Sequence, residues 1–122
     1  MTIAGFDHVQ VAAPPGSEAA ARSFYGRVLG LREIPKPPGL ASRGGVWFVV
    51  GDAQLHVGVA EDFQPARKAH PALRVSGAAL EPLARALHDA GHQVVWDGAI
   101  AGERRFFSAD PWSNRIEFVA RD

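Results

Sequence analysis

The 122-residue chain contains no cysteine. Disulfides are therefore excluded, and any metal site has to be built from His, Asp, Glu and water. No apolar run approaches the roughly 18 residues of a membrane-spanning helix, and no basic, then apolar, then small-residue segment opens the chain. We expect a soluble, cytoplasmic protein with no membrane partner. Charge of one sign is also lacking, since 13 Lys and Arg balance 13 Asp and Glu. Nucleic-acid binders usually carry a basic excess, so nucleic acid is not an expected partner. The chain does have apolar material: 47% of residues are hydrophobic and only 21% charged, which suits a packed core rather than disorder.

Turn and helix signals divide the chain into two similar halves. Residues 6–13 alternate as a strand and stop at Pro14-Pro15-Gly16. Ser17 is an N-cap candidate for a helix carrying Ala20, Phe24 and Val28 on one face, and Gly30 suits its left-handed end. Short strands follow at Arg32–Ile34, Val46–Val50 and Gln54–Val59, with turns at Pro35–Gly39 and Gly51-Asp52. After a polar linker over about 61–68 the order repeats. The second half reads as a strand Ala72–Val75, a helix Ala79–Ala90 with Leu80, Leu83 and Leu87 on one side, and strands Gln93–Trp96, Arg104–Phe107 and Arg115–Val119. Pro82 is expected in that helix's first turn, where its missing N–H costs little, and Gly91 ends the helix. Each half is thus strand, helix, strand, strand, strand. The expected fold class is α+β, in one domain made of module 1 (about 1–60) and module 2 (about 69–122).

Side chains alternate across a strand, so each strand has an apolar face for the helix and an opposite, open face. Val9 and Val11 oppose His8 and Gln10; Leu55, Val57 and Val59 oppose Gln54 and His56. Leu73 and Val75 oppose His70, Ala72 and Arg74; Ile116 and Phe118 oppose Arg115, Glu117 and Val119. The first and last strand of each half therefore offer one ligand-type residue to the open face, at nearly equal separations of 48 and 47 positions. Three imidazoles and a carboxylate suit a divalent ion such as Zn, Fe, Ni, Mn or Co. Taken singly, each of these residues is more commonly structural; their coincidence in a repeated pattern is what points to a metal site. His88 and His92, at or beyond the end of the second helix, read as solvent-facing, or as favourable cations near a helix C-terminus, without a catalytic role.

With these residues in place, the chain resembles the vicinal oxygen chelate superfamily, which includes glyoxalases, bleomycin-resistance proteins and ring-cleaving dioxygenases. The matching segments are Asp7-His8-Val9, Ser23–Leu31, Gln54-Leu55-His56-Val57, Ala69–Leu73 and Asp110–Phe118, so the likeness spans nearly the whole chain. It implies paired βαβββ modules whose eight strands form a curved, cup-shaped sheet around a divalent metal. By the same resemblance, His8, His70 and Glu117 correspond to the recurrent two-His, one-carboxylate ligand set. His56 falls where glyoxalase-type members carry a fourth ligand, usually Glu, and it is expected to serve as fourth ligand or catalytic base. Many small members are homodimers with the site at the subunit interface, one chain giving the first pair and its partner the second.

The resemblance implies a divalent-metal-dependent enzyme, with lyase, isomerase or dioxygenase chemistry on a small organic substrate chelated through adjacent oxygens. Substrate contacts are expected from Gln10, Gln54, Arg74 and Arg115, and from either Arg104 or Arg105 in the seventh strand. His56 departs from a standard glyoxalase, which has a carboxylate there. A fourth ligand also departs from a ring-cleaving iron dioxygenase, which needs open coordination positions. Ser113 stands where the superfamily's last turn often has glycine. The competing function is a metal-free, ligand-sequestering protein of bleomycin-resistance type.

Overall fold

The computed structural model describes residues 2–121. The chain divides between Gln64 and Pro65 into two compact units, each built as βαβββ. The first contains β1 (His8–Ala13), α1 (Glu18–Ala21) running into a π-helical segment (Arg22–Val28), β2 (Arg32–Ile34), β3 (Val46–Val50) and β4 (Ala53–Val59). The second contains β5 (Ala72–Arg74), α2 (Gly77–Asp89), β6 (Val95–Asp97), β7 (Glu103–Ala109) and β8 (Arg115–Arg121). All eight expected strands are present, hydrogen-bonded as two sheets of four in the orders β1-β4-β3-β2 and β5-β8-β7-β6. In each sheet the first and last strands of the module lie side by side and parallel, and the remaining pairs are antiparallel. That pairing brings His8 opposite Gln54, Gln10 opposite His56, and Ala72 opposite Glu117. No helix is long and apolar enough to cross a membrane among the described residues.

The alternation of side chains sets both cores. In the first unit Val11, Ala13, Val46, Phe48, Leu55 and Val57 are buried together with Ala21, Phe24 and Tyr25 of the helix, and the Tyr25 and Phe48 rings lie 5.8 Å apart. In the second unit Phe106, Ile116, Phe118 and Ala120 are buried along with Leu80, Ala84 and Leu87 of α2. Each such large side chain contributes about 1.5–3 kcal/mol through burial.

Several local expectations need correction. The first strand begins at His8, not Phe6. Ser17 occupies the N-cap of α1, but its hydroxyl makes no capping bond and is buried without a hydrogen-bond partner. The helix continues as a π-type turn, with the Leu29 N–H donating to the Phe24 carbonyl at 2.9 Å; Gly26, a poor α-helix former, lies in that turn. The turn after Pro35 develops into a 3-10 helix, Pro38–Arg43. Because α2 starts at Gly77, Pro82 falls in its second turn, and Ala84 rather than Leu83 faces the core with Leu80 and Leu87. His70 precedes β5 instead of lying in it.

The motif Asp110–Asn114 is structural. The Asp110 carboxylate accepts from the backbone N–H groups of Trp112 and Asn114 at 3.0 and 2.9 Å, and from the Asn114 amide at 2.8 Å. Asn114 Oδ1 in turn accepts from the Ala66 N–H at 2.9 Å, and the Arg115 N–H donates to the Ala66 carbonyl at 2.9 Å. The Glu117 N–H donates to the Pro71 carbonyl at 3.0 Å. The segment from Ala66 to Pro71 is thereby laid along the start of β8, with His70 beside Glu117.

Candidate functional site

Seven of the eight expected site residues lie on strands of the two sheets and His70 on the segment before β5, four residues per unit. In the second unit, β8 carries Glu117 on its open face, where it is only 7% exposed. His70 reaches it from the segment before β5, with Nε2 3.0 Å from Glu117 Oε1. The other imidazole nitrogen, Nδ1, is 2.8 Å from the Lys68 carbonyl oxygen. A carbonyl can only accept, so Nδ1 carries the hydrogen, and in the neutral ring Nε2 holds a lone pair. That lone pair is aimed at a carboxylate, which also has only lone pairs to offer. The arrangement is favourable when a cation lies between the two, either a proton or a metal ion. A ligand histidine that donates its remote N–H to a backbone carbonyl is the usual orientation at metal sites.

Glu117 has a second neighbour. Arg105 Nη1 lies 3.4 Å from Glu117 Oε2, and Arg105 Nη2 lies 3.5 Å from Asp97 Oδ1. Strand parity leaves Arg104 and Arg105 as alternatives, and the register decides between them. Arg105 pairs with Val119 on the open face, whereas Arg104 is exposed and donates to the Gly77 carbonyl at 3.2 Å. The Asp97 carboxyl is held below its ordinary value, first by the Ala99 N–H it accepts and then by the Arg105 charge. Phe107 continues the face, edge-on to His70 at 5.5 Å, with the Arg115 guanidinium over its ring at 3.9 Å. Arg74 is exposed on β5.

In the first unit, His8, His56 and Trp47 lie on adjacent strands β1, β4 and β3 and stack. The Trp47 and His56 rings are 3.8 Å apart with 1° between planes, and His8 and His56 are 4.2 Å apart with 16°. His56 is only 4% exposed, and its Nε2 lies 2.8 Å from Gln54 Oε1. Burial, and then the neighbouring His8, lower the His56 pKa below its ordinary value, so the ring is neutral at pH 7. His8 Nδ1 lies 2.8 Å from Asp7 Oδ2 and donates to that carboxylate, leaving Nε2 as a free lone pair. Imidazole lone pairs lie in the ring plane. The two rings lie in nearly parallel planes about 4.2 Å apart, so an ion about 2 Å from a nitrogen of each would lie out of both planes, and in this arrangement the lone pairs do not converge on it. Gln10 lies across Gly58, where an added Cβ would come within 2.6 Å of the Gln10 amide nitrogen.

The ligand-type residues are thus gathered as two pairs. No group of three or more His, Asp or Glu side chains that could hold an ion is found among the described residues. Trp47 and Phe107 also lie on these faces, as strand parity gives once the strand bounds are known. Arg105 is selected by the β7–β8 register, and Asp7 adjoins the first face as the immediate neighbour of His8. His92 is half-buried, and its Nδ1 donates to the Ala109 carbonyl at 3.0 Å, so of the two readings of its position the solvent-facing one does not hold. His88 is exposed.

No protein-family model and no curated protein sequence matches the chain. Solved structures do. A glyoxalase family protein from Bacillus anthracis is 45% identical, with a TM-score of 0.94 over 100% of this chain and 98% of that one. The fosfomycin resistance protein FosX from Listeria monocytogenes is 14% identical, with a TM-score of 0.78 over 99% of this chain and 96% of the other. Lactoylglutathione lyase from Agrobacterium tumefaciens is 17% identical, with a TM-score of 0.73 over 98% and 96%. The last two show the shared fold alone. The first covers the entire chain at an identity where family membership is established, and this protein belongs to the glyoxalase family of the vicinal oxygen chelate superfamily.

Proposed function

We propose that the chain is a divalent-metal-dependent enzyme of glyoxalase or dioxygenase type, acting on a small oxygenated organic molecule through two adjacent oxygens. The observation that carries this reading is the His70–Glu117 pair, in which an oriented imidazole lone pair and a buried carboxylate face each other at 3.0 Å. Such a donor set fits a divalent ion. His70 and Glu117 would hold it together with His8, whose Nε2 is left free by Asp7. A homodimer in which each subunit supplies one pair would complete the ligand set. When bound, the metal would act as a Lewis acid on the chelated oxygens.

The remaining residues have distinct parts in this reading. Arg105 hydrogen-bonds the far oxygen of Glu117 and holds its carboxylate in position. His56, neutral and stacked, takes the part of general base in preference to that of fourth ligand, because its plane lies parallel to that of His8. Gln10, Gln54, Arg74 and Arg115 would contact the substrate. The FosX and lactoylglutathione lyase likenesses concern the fold and choose no reaction.

One observation favours the alternative, a metal-free ligand-sequestering protein. A proton can take the place of the metal, and the His70–Glu117 pair is then an ordinary imidazolium–carboxylate ion pair. Elemental analysis after loading with Zn, Fe, Ni or Mn salts decides. We expect a bound metal that is lost in Glu117→Gln and in His70→Ala. Occupancy below about 0.1 per chain in the unmodified protein with every one of these metals would overturn the metal reading and favour the sequestering alternative.

A further inference from the structure

A pocket of about 220 Å³ opens on the second unit beside the His70–Glu117 pair, lined by Arg67, Gln93, Phe107, Ser113 and Arg115 among others. Two guanidinium groups and no carboxylate side chain line it. The Arg115 guanidinium sits over Phe107, its Cζ 3.9 Å from the ring centroid, and makes no ion pair among the described residues. The nearby acids are engaged elsewhere: Asp97 pairs with Arg105, and Asp110 accepts from Trp112 and Asn114. Arg67 is exposed, yet the residue before it is pinned from both sides. The Ala66 N–H is bound by the Asn114 side chain, and the Ala66 carbonyl by the Arg115 N–H. The two cations are therefore placed together by the same turn that places β8.

We infer that this pocket binds the oxyanion of a small acid, a carboxylate or phosphonate, with Arg115 as the principal contact and Arg67 as the second cation. A guanidinium stacked on an aromatic ring keeps its N–H edge free, and that planar edge matches two oxygens of a carboxylate or phosphonate. The stacking also fixes the side chain before the ligand arrives, so little rotamer freedom is lost on binding. A pocket this small takes a compact acid rather than a large conjugate. The inference deepens the functional proposal by naming the substrate as an anion, and it rests on that proposal only for the assignment of the anion as substrate; binding itself needs no metal.

Isotope-labelled full-length protein, dialysed against EDTA, is titrated with acetate and separately with methylphosphonate at constant ionic strength, following the amide signals of Gln93, Phe107, Ser113 and Arg115. Saturable shifts are expected. Arg115→Gln should weaken binding about tenfold or more, as loss of a charge-assisted hydrogen bond implies, and Arg115→Lys should recover part of it. Shifts that do not saturate, that centre on Arg74, or that are unchanged in Arg115→Gln would overturn the inference. Zinc binding, measured on the same samples, keeps the two ideas apart. Zinc binding without anion binding removes this inference alone, and anion binding in a protein that loads none of Zn, Fe, Ni or Mn supports it while removing the metal reading.

Discussion

At the scale of single residues, the two ligand-type pairs differ in which atoms meet. His70 presents a lone pair to Glu117, an edge contact that invites a cation, whereas His56 presents ring faces to Trp47 and His8. Two histidines expected in one ligand set thus acquire different chemistry, one as a lone-pair donor and one as a buried neutral ring. Backbone strain is equally local. Ser113 is the one non-glycine with a left-handed backbone among the described residues, at φ 74°, in the turn that feeds Arg115 and Glu117 into β8. A side chain in that region costs about 1–2 kcal/mol, and the extra freedom of glycine in the unfolded chain returns about 0.4–1 kcal/mol of the gain. Ser113→Gly should therefore stabilise the protein by about 0.5–1 kcal/mol, raising the thermal midpoint by a few degrees. The backbone bond from the Ser113 N–H to the Asp110 carbonyl, 3.0 Å, survives the change. A lowered midpoint would show that the serine hydroxyl, not the backbone, matters there.

At the scale of elements, α1 is tied to the sheet by a carboxylate. Glu18, in its first turn, accepts the Gly45 N–H at 2.7 Å, just before β3 begins. Gly45 has φ +88°, and a Cβ there would lie 2.2 Å from the Val57 carbonyl oxygen, so only glycine lets the chain pass this close to β4. The Gly45 hydrogen bond is the main reason that the Glu18 carboxyl sits below its ordinary value of 4.5. A carboxyl with a depressed folded pKa contributes stability that is present above the unfolded value and lost as pH falls through the folded one. The wild-type advantage over Glu18→Gln should hold near neutrality and shrink as the pH drops below about 4.5. Urea midpoints of both proteins between pH 6 and about pH 3 test this. Parallel curves would mean that the clasp carries no charge-dependent stability.

At the scale of the whole molecule, the proposal that each subunit supplies one pair makes a prediction no single-chain site can satisfy. His8→Ala and Glu117→Gln each remove one member of a ligand set. If the pairs come from different subunits, a heterodimer of the two variants contains one site with both defects and one with none. Unfolding and refolding an equal mixture should then restore roughly a quarter of the wild-type metal content, because about half of the dimers are mixed and each has one intact site of two. No recovery from a mixture that has formed mixed dimers would place both pairs of a site in one chain.

Much of this was legible in the amino-acid order, and particular residues show why. The alternation of Val9 and Val11 with His8 and Gln10, and of Ile116 and Phe118 with Glu117, is a local pattern of period two. It assigns faces without any knowledge of the partners, and the repeat of that pattern, with helices ended by Gly30 and Gly91, conveys the duplicated α+β architecture. What depends on distant partners was not legible. The choice of Arg105 over Arg104 needed the β7–β8 register, and the π-turn at Arg22–Val28 and the start of α2 at Gly77 arise from how each helix settles on its sheet. The sequence by itself thus determined which side chains face the helices and which are left on the open faces, since that follows from backbone geometry alone. Only the tertiary structure decided that His70 meets Glu117 edge-on while His56 is stacked between rings, because the direction of a lone pair depends on contacts across strands that lie far apart in the chain.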